Sequence, residues 1–457
     1  RMVRALGRLA LRWFYRDIEV VGLWHVPDHG PALLASNHPN ALVDALVVGC
    51  TLRRPVTLTA KATLLENPVT RVLLRVAGVV PLRRASDAAP PGGDAVLDPT
   101  RNAEAFAAVL DVLEHDGIVL LFPEGKSHSD PALAPLKTGL ARIAMMALGN
   151  RHLTAVPVIP VGLTFERKWE PRSRVLIRFG TPIIVEDGSP NDSSAVVALT
   201  QRVDVGLRDV TLNFRSSEEA HRVLSLATVL AEVLDDFRPL HDPDPPLGDS
   251  TRVAQRIAGI VPAVPDLDRV VASRVERFLA RFECFERLMG MNAIAASDVR
   301  MSTRVAPGVW FAIRELLIAV GAGPFALWGR ANHWLPLRIT RVLALKMSRA
   351  PDEPAMNTIV AGLVVVLAFY VAQISLVGWG LGWAAALAYG MLLPLSATWD
   401  FRYADRLRRG VARVRAYLRF RRDPPFHRRL LEDVAWLRSE AVTLDSLIDV
   451  RLRGNGR

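Results

Sequence analysis

The residues with the clearest capacity for chemistry are His38 and Asp44, in the run Ser36–Asp44 that follows the apolar segment Ala32–Ala35. An imidazole is an effective general base near neutral pH when a carboxylate fixes its tautomer and stabilises its charged form. Such a pair is common by chance, so it needs support. Further runs along the chain supply that support: Gly78–Arg84, Phe122–Gly125 and Val156–Val161.

Basic residues in these runs are candidates for binding an anion. Arg84 ends the second run, and Arg83 precedes it. A guanidinium can bind a phosphate through two parallel hydrogen bonds, which lysine cannot do. Lys137 opens a predicted helix, whose first backbone N–H groups also favour an anion. We expect Arg84 to be the main anion-binding residue, although an isolated arginine after a strand is usually solvated.

The third run is a sharp turn after a predicted strand. Gly125 permits close approach of the backbone to a ligand, and Glu124 could hold a guanidinium or a hydroxyl group. Lys126 and Ser127 continue the run. We expect Glu124, Gly125, Lys126 and Ser127 to line a binding site, although a purely structural turn would also explain the Pro-Glu-Gly sequence.

The four runs, in this order, resemble the glycerolipid acyltransferases. This family includes the glycerol-3-phosphate and 1-acylglycerol-3-phosphate enzymes, and the chain resembles most its fungal-type glycerol-3-phosphate/dihydroxyacetone-phosphate branch. The resemblance extends over residues 17–185. It implies transfer of a fatty acyl group from acyl-CoA or acyl-ACP to a glycerol-phosphate acceptor. It also implies His38 and Asp44 as catalytic residues, with Arg84 and Glu124 in the acceptor site.

One departure from the family pattern concerns the spacing of the catalytic pair. The family usually places four residues between this histidine and aspartate, whereas five intervene here, because Val43 occupies the usual carboxylate position. One extra residue rotates a helical side chain by about 100°. We therefore expect His38 to lie on a loop, with the helix beginning after Pro39. The alternatives are that Asn40 orients the histidine, or that His38 is structural.

The sequence also limits the mechanism. It has no Gly-x-Ser-x-Gly elbow, so a serine acyl-enzyme has no obvious nucleophile. Direct attack of an acceptor hydroxyl, with His38 taking its proton, is the simplest route, and it requires no cofactor or metal beyond the acyl thioester. Two alternatives stay open. The acceptor could be another lysophospholipid or a non-phosphate lipid, or the chain could be a non-catalytic membrane adaptor.

The elements that must position these residues occupy residues 17–215. Short β-branched runs alternate there with helical patterns, which predicts an α/β domain with a mixed sheet flanked by helices. The predicted strands are Ile18–Val21, Ala32–Ala35, Val56–Thr59, Val79–Leu82, Ile118–Phe122, Ala155–Val161 and Val175–Phe179. The predicted helices are Ala41–Cys50, Pro68–Ala77, Asn102–His115 and Lys137–Leu148. The two prolines of the fourth run argue against a regular central strand, and Ala85–Pro99 reads as a surface loop.

Composition indicates an anionic partner and a membrane part. The 457 residues carry a formal net charge of +11, almost wholly from arginine, and half of them are hydrophobic. This balance suits lipid headgroups, and the arginines come without any nucleic-acid motif, so we expect no nucleic-acid partner. Residues 1–16 predict a basic amphipathic helix that lies in a membrane interface, or one that packs on the domain. Two distant cysteines favour a reducing compartment.

The remainder of the chain is predicted to be helical. Residues 216–300 form a helical region with a Pro/Asp-rich linker at 239–249. Residues 301–400 form a membrane region with a transmembrane hairpin at 358–399, because no charged residue lies between Glu353 and Asp400. Leu316–Trp328 is expected to be interfacial or re-entrant, and 401–457 a basic helical tail against the headgroups. Arginines at both ends predict a cell-membrane protein with a cytoplasmic catalytic domain. A buried hairpin in a soluble domain is the alternative.

Overall fold

The protein divides into two compact units, Arg1–Ser216 with Leu343–Val360, and Ser217–Val342 with Ala361–Arg457. The computed structural model describes residues 2–61, 79–82, 103–151, 153–234, 246–261, 268–348 and 354–454. The division after Ser216 lies beside the boundary expected between the catalytic domain and the helical region. The predicted helix Pro68–Ala77 and the predicted loop Ala85–Pro99 lie outside the described residues.

The first unit contains the mixed sheet that the sequence predicts. Its strands are β1 (Asp17–Val21), β2 (Ala32–Ser36), β3 (Val56–Lys61), β4 (Val80–Leu82), β5 (Ile118–Leu121), β6 (Val156–Phe165), β7 (Arg174–Phe179) and β8 (Ile183–Val185). They lie in the order β1-β7-β6-β2-β5-β3-β4, with β8 also beside β6. Strand β6 pairs antiparallel with β7 and β8, whereas the other neighbours are parallel. The predicted mixed α/β fold is confirmed.

Strand β6 corrects one expectation, because it runs without interruption through Pro157 and Pro160. Its pairing with β8 ends at Val158, and its pairing with β7 begins at Val161. Pro160 therefore lies where the neighbouring strand changes, so its missing N–H interrupts no regular ladder there. Pro157 lies opposite the three-residue strand β8, which the sequence did not predict.

Helices cover both faces of the sheet. The helices of this unit are α1 (Met2–Phe14), α2 (Leu42–Thr51), α3 (Ala103–Glu114), α4 (Gly139–Arg151) and α5 (Ser193–Val210). One buried cluster joins α1 and α2 to the sheet, and another joins α3, α4 and α5 to its opposite face. The sheet is therefore buried on both sides, which explains why β5 is apolar throughout and β2 is apolar as far as Ala35.

Helix α1 packs against the core of the first unit. Packing on the domain was one of the two arrangements expected for residues 1–16. Leu11 and Phe14 are buried in the core. The Arg8 guanidinium donates to the carbonyl oxygen of Cys50 at 2.8 Å, and Arg4 donates to the carbonyl oxygen of Arg53 at 3.0 Å. These two arginines therefore hold the C-terminal end of α2.

The second unit consists of helices in the part of the chain that the structure describes. They are α6 (Ser217–Leu234), α7 (Leu247–Ile260), α8 (Arg269–Asn292), α9 (Val305–Met347), α10 (Pro354–Leu381), α11 (Trp383–Arg422) and α12 (Pro424–Gly454). The last turn of α9 and the first turns of α10 belong to the first unit. The buried side chains of α6, α8 and α12 share one core. The basic tail was expected to lie against headgroups, but α12 buries one face in this core.

The apolar helices differ from the expected hairpin in their bounds. By length and composition, α9 and α10 could each cross a membrane, whereas α11 does not meet that criterion. Leu316–Trp328 is not a short separate segment, because it lies inside the 43-residue helix α9. The bend expected in the hairpin is present between Leu381 and Trp383. Helix α11 then continues to Arg422, beyond the apolar run.

Candidate active site

The candidate catalytic residues follow two neighbouring parallel strands. Strand β2 pairs in parallel with β5, and Ala35 lies opposite Leu121 at their carboxyl ends. His38 comes two residues after β2, and Glu124 comes three residues after β5. The carboxyl edge of parallel strands is where α/β sheets commonly bind ligands. The sheet therefore brings the first and third sequence runs together.

His38 and Asp44 are in direct contact despite the extra residue between them. His38 Nδ1 lies 2.9 Å from Asp44 Oδ2. Helix α2 begins only at Leu42, so His38 lies on the preceding loop and Asp44 in the first helical turn. The loop includes Ala41, which adopts a positive φ of 47°. This turn absorbs the additional residue, as the sequence led us to expect.

Asp44 is buried, and two groups share its Oδ2 atom. The backbone N–H of Asn40 donates to it at 2.7 Å, beside the imidazole of His38. Burial raises the pKa of Asp44, and the hydrogen bond and positive charge of His38 oppose that rise. Burial and the charge of Asp44 likewise raise the pKa of Tyr15. Asp44 is thus an acceptor in a low-dielectric site, where an ion pair with an imidazolium is strengthened.

Asn40 does not take the place of Asp44 as the partner of His38. Its side-chain amide donates to the carbonyl oxygen of Lys168 at 2.9 Å and lies 3.5 Å from the hydroxyl of Tyr15. The imidazole instead donates from Nδ1 to the carboxylate of Asp44. Asn40 therefore anchors the loop, and its backbone supports the carboxylate.

The ring of His38 is held on several sides. It stacks on Phe122, with ring centroids 3.9 Å apart and an interplanar angle of 14°. Its backbone carbonyl accepts from the N–H of His128 at 3.2 Å. Nδ1 faces Asp44, and no side chain or backbone group in the described part of the chain bonds to the second ring nitrogen, Nε2, which can therefore take a proton from a ligand. The His38 side chain is 12% exposed, so the ring is largely shielded from solvent.

Glu124 is a buried hub that fixes the catalytic loop. Its Oε1 accepts from the backbone N–H of His38 at 2.8 Å, and its Oε2 accepts from the N–H of Ala134 at 2.8 Å. The Nε2 atom of His128 also contacts Oε2. Both carboxylate oxygens are therefore used inside the protein. The geometry differs from a glutamate that points at an acceptor.

The other predicted site residues lie around this hub or outside the described residues. Ser127 accepts the backbone N–H of Ala41 at 3.1 Å, so it holds the loop that carries His38. Gly125 has a φ of 75°, which favours glycine. The backbone N–H of Lys137 donates to the carbonyl of Pro123 at 2.7 Å. The side chains of Lys126 and Lys137 are exposed. Arg83 and Arg84 lie outside the described residues.

Metal ligation finds no support in the described part of the chain. No group of three or more His, Cys, Asp or Glu side chains is arranged there to hold a metal ion. His128 instead contacts Glu124 through Nε2 and accepts the backbone N–H of Asp130 at Nδ1, at 3.2 Å. Its role is to support the hub.

Two contributors to the site were not predicted as site residues. His128 follows Glu124 by four residues, a spacing that could have suggested contact, but the sequence alone gives it no partner. Asn37 binds strand β6 through both ends of its amide, with bonds of 3.1 Å and 2.8 Å to Leu163. These two bonds fix Asn37, the residue next to His38. Its partner is 126 positions away, so spacing could not reveal it.

Comparison with known proteins shows which family the part of the chain that carries this site resembles. Residues 17–164 match the family model described as Acyltransferase. These residues include the histidine–aspartate pair and the Glu124 hub. Over these residues the chain is therefore similar to the Acyltransferase family.

The chain is also similar in sequence to individual curated proteins. The chain is 40% identical over 85 residues to glycerol-3-phosphate O-acyltransferase 2 of Saccharomyces cerevisiae, which is 19% of this chain and 11% of that protein. It is 31% identical over 114 residues to glycerol-3-phosphate O-acyltransferase 1 of the same yeast, which is 23% of this chain and 15% of that protein. It is 26% identical over 191 residues to the mouse 1-acyl-sn-glycerol-3-phosphate acyltransferase alpha, covering 39% of this chain and 59% of that protein. The similarity to the yeast proteins supports the fungal branch. The chain spans less than two thirds of the length of each of these relatives.

Proposed function

We propose that the protein transfers a fatty acyl group from a thioester, acyl-CoA or acyl-ACP, to a hydroxyl group of glycerol-3-phosphate or 1-acylglycerol-3-phosphate. The observation that carries the proposal is the contact of 2.9 Å between His38 Nδ1 and the buried Asp44. It leaves Nε2 of His38 as the proton acceptor. The names of the curated relatives supply the two acceptors, glycerol-3-phosphate and 1-acylglycerol-3-phosphate.

The proposed reaction needs only the chain and its two substrates. The acceptor oxygen attacks the thioester carbonyl carbon as His38 Nε2 takes the hydroxyl proton, which gives a tetrahedral oxyanion. The carbon–sulfur bond then breaks, and the imidazolium returns its proton to the departing thiolate. The carboxylate of Asp44 stabilises the imidazolium between these steps. Acyl ester and free thiol are the products.

Acceptor binding is proposed for the basic residues around the site. Arg84, with Arg83, is the candidate for the acceptor phosphate, and the exposed side chains of Lys126 and Lys137 are candidates to contribute positive charge. Glu124, with Ser127 and Gly125, supports the site by fixing the loop. A bilayer with anionic headgroups, at the cytoplasmic side of the cell membrane, is the proposed location, because it supplies the lipid acceptor and takes up the product.

The test incubates the detergent-solubilised protein with labelled acyl-CoA or acyl-ACP. Glycerol-3-phosphate, dihydroxyacetone phosphate, 1-acylglycerol-3-phosphate and a lysophospholipid without a terminal phosphate are supplied in turn. We expect a labelled product with a phosphate acceptor, and its loss in His38→Ala. The matched control is His115→Ala, since His115 is an exposed histidine in the turn that follows α3, outside the site. Equal turnover by wild type and His38→Ala would contradict the proposal.

A second variant separates the acceptor classes. Charge reversal in Arg84→Glu should abolish transfer to phosphate acceptors and leave thioester binding intact. If the variant keeps full activity, a non-phosphate acceptor is the better assignment. Product formation with no phosphate acceptor at all would also overturn the glycerol-phosphate assignment.

A further inference from the structure

The contacts of α9 with its neighbours show where the apolar hairpin departs from α9. Along α10, Gly362 lies against Thr340, and the Tyr370 hydroxyl lies 2.7 Å from His333 Nε2. Gln373 then donates to the carbonyl of Asn332 at 3.3 Å. Helix α10 therefore runs antiparallel to α9 and reaches Asn332 at its residue 373.

Helix α11 returns to α9 at the same turn. The Tyr389 hydroxyl donates to Asn332 Oδ1 at 2.5 Å. Further along α11, the partners on α9 have steadily lower numbers. These pairs are Asp400 with Arg330, Tyr403 with Gly323, Arg406 with Glu315, and Tyr417 with Gly308. Both helices are thus antiparallel to α9, and the segment between Gln373 and Tyr389 projects away from it.

The projecting segment is a short, uncharged helical hairpin. Its arms pack closely, because Gly378 lies against Ala386 and Gly390 lies against Ile374. From Ile374 to Leu381 the first arm has a length of about 12 Å, at 1.5 Å per residue. The hydrocarbon core of a bilayer is about 30 Å thick. A hairpin of this reach enters one leaflet and stops near the middle of the bilayer.

The surface of this hairpin is apolar and open to solvent in the isolated chain. Trp379, Leu381 and Trp383 at its tip are 89%, 78% and 75% exposed. No charged residue occurs between Glu353 and Asp400. Tyrosine and tryptophan side chains cluster at its base, as they do at membrane interfaces. They are Trp328, Trp334, Tyr370, Tyr389 and Trp399.

Helix α9 has the features of a helix that lies in the plane of the interface. Its exposed apolar residues recur along one face at helical spacing from Val309 to Leu345, a distance of about 54 Å. That length exceeds the bilayer core, which a crossing helix would have to match. Its first half also pairs with the arginine-rich half of α11, where Arg406 binds Glu315 at 2.8 Å. Such a pair is costly in hydrocarbon.

We propose that the second unit is a one-leaflet anchor: α9 lies along the membrane interface, and the hairpin Ile374–Ala388 inserts into one leaflet without crossing the bilayer. Its partner is a lipid leaflet, with the arginines at the base of the hairpin facing anionic headgroups. Both helices that could span a membrane by length and composition are then monotopic. The inference rests on contacts within the second unit and does not depend on the proposed reaction.

The first experiment measures the depth of the hairpin tip. A single cysteine is introduced as Leu381→Cys in a Cys284→Ser background, labelled with an environment-sensitive fluorophore and reconstituted in sealed vesicles of phosphatidylcholine and phosphatidylglycerol. The remaining Cys50 is buried. We expect strongest quenching by nitroxides near the ends of the acyl chains. Strongest quenching by a headgroup nitroxide would overturn the proposal, since the tip would then lie at an interface.

The second experiment tests accessibility in the same vesicles. The cysteine at position 381 should resist a membrane-impermeant maleimide until detergent is added, whichever way the protein is oriented. The control is Val270→Cys on α8, an exposed position that should react in intact vesicles. Labelling at position 381 to the extent of the control would mean that the tip is in water, either after a full crossing or without insertion, and would also overturn the proposal.

A third measurement uses charge. The double variant Trp379→Arg/Leu381→Arg changes only exposed side chains, so the fold should persist by circular dichroism. Placing arginines in hydrocarbon should lower the association constant of the protein for vesicles by about tenfold or more. Val270→Arg is the matched control and should bind like wild type. Equal binding of the double variant and the control would contradict insertion of the tip.

Discussion

A largely shielded histidine in one unit and a buried histidine in the other show how the same side chain can serve chemistry or structure. His38 has one ring nitrogen on the carboxylate of Asp44, and its other nitrogen is available to a ligand. His333 has Nδ1 on the carbonyl of Gly329 and Nε2 on the hydroxyl of Tyr370, each at 2.7 Å. A base needs both a carboxylate that stabilises its charge and an unoccupied nitrogen. Both ring nitrogens of His333 are occupied by these bonds, and the bond to Tyr370 ties α9 to α10.

The variant with the largest expected effect is Asp44→Asn. The amide keeps the size of the side chain but cannot stabilise an imidazolium by charge, so we expect kcat to fall by about 10²–10⁴-fold. The acceptor KM should change little, since the side chain is buried beneath His38. Steady-state kinetics with each acceptor measure both values. Unchanged kcat would remove Asp44 from the catalytic pair.

The next effect comes from Glu124→Gln, which tests positioning against acceptor binding. The amide NH₂ would oppose the N–H of Ala134 or of His38, so the loop that carries His38 should loosen. We expect kcat to fall by about 10-fold to 100-fold with the acceptor KM unchanged. A large rise of KM at constant kcat would instead assign Glu124 to the acceptor, as the sequence alone led us to expect.

Replacing His333 should lower the stability of the protein and leave kcat unchanged. His333→Leu removes the bonds to the carbonyl of Gly329 and to the hydroxyl of the half-buried Tyr370, which costs about 1–3 kcal/mol of folding free energy. Thermal melting in detergent measures this loss, and kcat per folded molecule should equal that of wild type. Loss of kcat without loss of stability would break the contrast between the two histidines.

Asp44 also predicts how stability changes with pH. Because burial raises its pKa, the folded chain holds the proton at a higher pH than the unfolded chain, in which an aspartate titrates near about 3.9. Ionising Asp44 therefore costs folding free energy, and this cost grows from about pH 4 to the raised pKa and is constant above it. The Tm of Asp44→Asn, relative to wild type, should rise across that window. A constant or shrinking difference would contradict the cause given for the shift.

The smallest expected effect is at Ala41, the residue that absorbs the extra spacing. A φ of 47° with a ψ of −132° is unfavourable for alanine and open to glycine. Ala41→Gly should therefore raise the free energy of unfolding by about 1 kcal/mol. Val43→Gly, at a helical position, is the matched control and should be destabilising. Denaturant titration distinguishes the two signs.

Much of the fold could be predicted from the sequence because its strands are short apolar runs between turn residues. Strand β8 was missed, and the regularity of the predicted strand at Ala155–Val161 was doubted because of its prolines, since the pairing of both strands depends on neighbours that are distant along the chain. The contact of His38 with Asp44 followed from motif order and from the loop before α2. The hub was not foreseen, since Glu124 binds the backbone of His38 across 86 positions and periodicity carries no such information. The uncharged run gave the position of the hairpin bend, whereas the extension of α11 to Arg422 could not be read from hydropathy.

The most direct test of His38 as the proton acceptor is a single-turnover measurement. Excess enzyme is mixed with labelled acyl-CoA and a saturating phosphate acceptor, and ester formation is followed at neutral pH, so that product release does not limit the observed rate. We expect His38→Ala to lower this rate by about 10²–10⁴-fold while His115→Ala matches wild type. A His38→Ala rate within a few-fold of wild type would contradict the assignment of His38 as the base.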